Sequence, residues 1–146
     1  MGKKRVIKKG ETGENADGEA KASGASSKAG HHVARGVAFV RATYNNTMIT
    51  ITDDRGNALG WSSAGSLGFA GAKKATPFAA ARVAETVVEK VRKTGLQEVA
   101  VVVSGVGSGR DSAVRALANQ GLSISSVRDA TPLPHNGPRP KKVRRV

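Results

Sequence analysis

The segment Gly105-Val106-Gly107-Ser108-Gly109 lies between an apolar run and an amphipathic one. A glycine-rich turn leading from a strand into a helix offers backbone N–H groups and the positive end of a helix dipole, which suit an anionic oxygen. The segment falls short of the two nucleotide signatures it approaches. Arg110 stands where a dinucleotide fingerprint needs its third glycine, and no Gly-Lys-Ser/Thr follows as in a P-loop. A tight turn requiring positive φ accounts for the glycines as well. Contact with an RNA phosphate is compatible with both, and Arg110 would add a charge-assisted bond.

Two-metal hydrolysis needs carboxylates converging on ions about 4 Å apart. The acids of the central region are Asp53, Asp54, Glu85, Glu89, Glu98, Asp111 and Asp129. Asp53 and Asp54 fall in a turn, Asp111 in the first turn of a helix, and Glu85 and Glu89 on a solvated helix face. No catalytic residue is assigned. His31 and His32 point opposite ways on an extended chain, and His135 stands apart from both. There is no cysteine, so thiolate metal sites and disulfides are excluded. No metal and no cofactor are expected.

Basic residues are the remaining chemistry, and they are abundant. The 146 residues include 24 Lys and Arg against 11 Asp and Glu, a net charge of +13. Such a chain seeks polyanions. Residues 1–30 hold seven basic and four acidic residues, with Val6 and Ile7 as their only bulky apolar ones. They are expected to form a flexible extension, because they bury too little to offset backbone ordering. Residues 31–136 hold twelve basic and seven acidic residues and have the composition of one folded domain. Residues 137–146 hold five basic residues and no acid, and Pro138 and Pro140 keep them extended. The candidate RNA-binding residues are Lys73, Lys74, Arg110, Arg128, Arg139, Lys141, Lys142, Arg144 and Arg145. The basic ending also fits a nuclear import signal. No apolar run approaches the ~20 residues of a membrane helix, and the basic first residues lack the apolar region of a signal peptide. A cytosolic protein is expected.

The aromatics are Phe39, Tyr44, Trp61, Phe69 and Phe78. They form no paired stacking platform in the sequence, and Phe39 and Phe78 are expected in the core. Recognition by phosphate and shape is therefore expected, not base readout.

The elements that must position these residues follow from periodicity. Residues 33–43 alternate, with Ala34, Gly36, Ala38, Val40 and Ala42 giving one face of small residues, which predicts a strand. A turn at Asn45-Asn46 joins it to the β-branched strand Thr47–Thr52, and a turn over 53–57 leads to a third strand over Ala58–Ser62. Residues 62–75 read as loop. Thr76 as N-cap and Pro77 at the first position open a helix whose stripe is Ala80, Ala84, Val87, Val88 and Val91, ended by Gly95. Val99–Val103 is a continuous apolar run, the pattern of a strand covered on both faces. A second helix over 110–120 presents Ala113, Val114, Leu117 and Ala118, and a last strand covers 122–128. The expected order is β-β-β-α-β-α-β: an α/β mixed sheet, an antiparallel meander joined to a parallel unit, with helices packed on it.

Several segments together resemble the family of ribosomal protein eleven of the small subunit. They are Tyr44-Asn45-Asn46-Thr47, Trp61-Ser62-Ser63-Ala64-Gly65, Thr76-Pro77-Phe78-Ala79-Ala80, Gly107-Ser108-Gly109-Arg110, and Asp129 through Gly137. The similarity runs from about residue 36 to the end, and Pro134-His135-Asn136-Gly137 with its basic ending is similar to the bacterial and organellar branch. Val106, Ser104 and Ala70 depart from the family's usual residues. The resemblance implies a ribonuclease H-like fold without nuclease activity. It implies a structural protein on the platform of the small subunit, bridging ribosomal RNA helices near the messenger's Shine-Dalgarno cleft. The implied partners are that RNA, neighbouring small-subunit proteins seven, eighteen and twenty-one, and nearby messenger RNA, with no membrane and no small-molecule substrate. From other classes, a metal-dependent nuclease of the same fold and a free nucleic-acid architectural protein are the alternatives.

Overall fold

The computed structural model describes residues 32–143. The expected extension over 1–30, together with Arg144 and Arg145, lies outside the described residues. The elements are β1 (Arg35–Thr43), β2 (Asn46–Asp53), β3 (Ala58–Ser63), α1 (Pro77–Val91), β4 (Glu98–Ser104), α2 (Gly109–Asn119) and β5 (Ser123–Asp129). They form one five-stranded sheet in the order β3-β2-β1-β4-β5. β1, β2 and β3 pair antiparallel, whereas β4 pairs parallel with both β1 and β5. The expected α/β mixed sheet is present.

Both helices cover one face. In register across β2, β1 and β4, Ile51, Ala38 and Val101 are fully buried, and so are Ile49 and Val40 beside Val103. α1 covers them with Ala80, Val83, Ala84 and Val87, and α2 with Ala113 and Leu117, in one core cluster. The small residues of β1 let the helices approach the sheet closely. Thr76 caps α1 by accepting from the Ala79 N–H at 3.3 Å, with Pro77 behind it. A 3-10 turn over Arg92–Thr94 follows α1, and Gly95 stops it at φ 75°.

Five expectations are corrected. Val99–Val103 is covered on one face only: Val99, Val101 and Val103 are buried, while Ala100 and Val102 lie half-buried on the side away from the helices. Both crossover helices return over the same face, so a run of valines does not require two layers. Phe39 is 44% exposed because it occupies the opposite parity from Ala38 and Val40, and Phe78 is 61% exposed at the outer start of α1. Ala116, not Ala118, completes the buried side of α2. The first hairpin turns at Tyr44-Asn45, because Asn46 already pairs with Thr43, whose hydroxyl accepts from the Asn46 N–H at 3.0 Å. The segment over 62–75, expected as loop, also holds a short 3-10 helix, Gly71–Ala75.

Candidate nucleic-acid interface

Strand directions decide which loops meet. β1, β4 and β5 run parallel, and β3 runs with them because it is antiparallel to β2. The carboxyl ends of β1, β3, β4 and β5 therefore lie at one end of the sheet. That end collects the Tyr44-Asn45 turn, the 3-10 helix bearing Lys73 and Lys74, the glycine-rich turn, and the root of the basic tail.

These segments are tied together. Ser108 donates its hydroxyl to the Ala75 carbonyl at 2.7 Å, joining the glycine-rich turn to the lysine-bearing helix. The glycines of the turn serve approach. Gly105 sits at φ 95°, and a Cβ there would collide with the Ala42 carbonyl oxygen. A Cβ on Gly107 would collide with the Thr43 carbonyl oxygen. Both contacts would fall far inside van der Waals distance, so the turn lies flat on the end of β1 because these positions lack side chains. The Gly107 N–H donates to the Ala42 carbonyl at 3.1 Å, which turns one turn amide inward.

Arg110 and Asp129 lock the tail's root to this turn. Arg110 donates to an Asp129 carboxylate oxygen at 2.7 Å and to the Gly105 carbonyl at 2.9 Å. Asp129 also accepts from the Thr131 hydroxyl at 2.6 Å and from its N–H at 2.9 Å. The Thr131 hydroxyl in turn accepts from the Gly105 N–H at 3.1 Å, and the Ala130 N–H donates to the Val103 carbonyl at 2.8 Å. The Thr131 hydroxyl, then Arg110, hold the Asp129 carboxyl down to a pKa of about 2. Beyond Thr131 the chain is exposed and without regular structure through Val143, with Asn136 at φ 56°.

The candidate residues thus separate by environment. Lys73 is exposed and Lys74 half-buried on the 3-10 helix, while Arg139, Lys141 and Lys142 are fully displayed on the tail. Arg110 is half-buried, with its guanidinium engaged by Asp129, Gly105 and Thr131. Arg128 belongs elsewhere: it is paired with Val102 and projects on the sheet face opposite the helices. Arg41, on that same face, was not among the sequence candidates. Its signal was parity, since it alternates with the buried Ala38, Val40 and Ala42. Phe78 stacks edge-on with Phe69, ring centres 6.1 Å apart, and carries the Arg82 guanidinium 5.5 Å from its centre. Among the described residues no three His, Asp or Glu side chains gather where they could hold a metal ion.

A family model described as ribosomal protein S11 matches residues 36–145. Among curated proteins, the chain is similar to small ribosomal subunit protein uS11 from two strains of Treponema pallidum, one of them strain Nichols. Each is 56% identical over 115 residues, which cover 79% of this chain and 91% of the relative.

Proposed function

Since this chain belongs to the ribosomal protein S11 family, we propose a division of labour between its folded end and its tail. The protein is a structural constituent of the small ribosomal subunit, binds ribosomal RNA and works on the cytoplasmic ribosome. Beyond that, we assign the carboxyl end of the sheet to the RNA. The observation that carries this is the hydrogen-bonded assembly of the lysine-bearing helix, the glycine-rich turn and the tail root at one end of the sheet.

In this reading the unit within 31–136 is an anchor and residues 137–146 are an arm. Lys73, Lys74, Arg139, Lys141, Lys142, Arg144 and Arg145 neutralise phosphates where RNA helices converge. Arg128 adds to them from the sheet face. Arg110 contributes least in direct contact, because its donors already hold the tail root, and acts mainly by aiming the arm. The subunit platform, the Shine-Dalgarno cleft and the neighbouring proteins seven, eighteen and twenty-one are the setting we infer from the family. We assign no catalytic residue, and neither the nuclease nor the free architectural protein is favoured.

Counterion release tests the arm. Deleting residues 137–146 should lower the slope of log affinity against log salt for a structured small-subunit RNA fragment, by about 0.9 per lost duplex phosphate contact. An unchanged slope, measured by filter binding across salt concentrations, refutes the arm.

A further inference from the structure

The sheet face opposite the helices is bare among the described residues, and its side chains are unlike an ordinary solvated surface. One row of paired positions crosses all five strands: Trp61, Thr50, Phe39, Val102 and Arg128. In the neighbouring row Arg41 pairs with Met48. Phe39 is 44% and Trp61 56% exposed. Their strands flank β2, and both residues pair with Thr50, so their backbones stand about 10 Å apart, two strand spacings. That leaves a planar group room on each.

Charge selects the occupant. The open-face strand positions hold Arg35, Arg41 and Arg128 against one carboxylate, Glu98, which is already paired with Arg35 at 2.9 Å. Arg41 and Arg128 make no ion pair among the described residues. An apolar protein surface docked here would bury two unpaired guanidinium groups, which is costly. Rings that stack bases, flanked by arginines that meet phosphates, match single-stranded RNA.

We propose that this face is a stacking platform for unpaired RNA bases. Phe39 and Trp61 each take a base face, and Arg41 and Arg128 hold the phosphates beside them. The inference rests on the RNA-binding reading above. It adds recognition of unpaired nucleotides to a chain whose basic loops and tail grip backbone and shape.

Trp61 is the single tryptophan, so its emission reports the platform directly. The full chain is titrated with a mixed-sequence ten-nucleotide RNA, single-stranded or as a duplex. The single strand should quench Trp61 saturably and the duplex should not. Phe39→Val keeps a residue suited to a strand and removes the ring; it should weaken single-strand binding about 5- to 100-fold. Arg41→Gln should lower the salt slope by about 0.7. Unchanged Trp61 emission, equal quenching by duplex, or wild-type affinity in Phe39→Val overturns the proposal. A structured small-subunit RNA fragment serves as the second ligand. If it binds with its full salt slope while Trp61 stays silent, the platform falls and the ribosomal reading stands; if neither RNA binds, both fall. A photoreactive phenylalanine analogue at position 39 in reconstituted subunits should link to RNA, and linkage to a protein instead would overturn the assignment.

Discussion

On the helix-covered face of the sheet, Ala38, Val40, Ile49, Ile51 and Val101 are shut from water, while on the other face of the sheet Phe39, Met48 and Trp61 stand in it. None of these buried side chains is aromatic, whereas two of the three exposed ones are. A helix can settle closely on alanine and valine, and the contact then removes nearly all of the aliphatic surface from water. The aromatic rings of Phe39 and Trp61 are left to the face with no helix, where they are available to a partner. Aromatic side chains are therefore a poor guide to the core of this protein, and an exposed aromatic row marks a place of contact.

The contrast can be broken most sharply in the core. Leu117 is fully buried beneath the sheet. Leu117→Ala should destabilise the fold by about 2–5 kcal/mol in urea unfolding, from lost transfer energy and the cavity left behind. A loss no larger than that of an open-face variant would erase the distinction between the faces.

A smaller effect is expected at the edge of the covered side, where Asp129 ties the tail root. Its carboxyl is held below the ordinary value of 3.8, at about 2. The native state therefore binds fewer protons than the unfolded state between these values. Its contribution is complete above about pH 4 and fades as pH falls towards about 2. Asp129→Asn should remove that acid-dependent part, so urea midpoints measured from pH 5 to pH 2 should fall less steeply than in the wild type. Parallel curves would show that the network adds nothing to stability.

The smallest effect on stability belongs to the open face. Phe39→Val leaves the core untouched and should shift the urea unfolding free energy by no more than about 0.5 kcal/mol. The same change is expected to weaken single-strand RNA binding strongly. A large stability loss would instead place Phe39 among the residues that hold the sheet together.

Much of the fold was legible because local chemistry agreed with the final arrangement. Thr76-Pro77 and Gly95 mark α1 through capping and backbone preference, and its stripe of Ala80, Ala84, Val87, Val88 and Val91 is the buried stripe. The β-branched run of β2 reads as a strand for equally local reasons. The displaced elements are those where the signal was symmetric. Val99–Val103 is apolar at every position, so periodicity could not tell its buried side from its open one. Phe39 is as apolar as any core residue, and only parity with Ala38 and Val40 separates it from them.

The interface divides in the same way. Composition alone placed positive charge in the tail and at Lys73-Lys74, because a run of lysines and arginines is visible without a fold. The sequence by itself determined the element order, the caps, the polyanion preference and, through its motifs, the family. Only the tertiary structure decided that both helices share one face, that Arg110 is held by Asp129 and Thr131, and that Trp61, Phe39 and Arg128 fall in one row. Those facts depend on strand order and register, which pair residues of β1 and β4 that lie 63 positions apart in sequence. Local periodicity fixes which side of a strand a residue takes, but not which strand lies beside it.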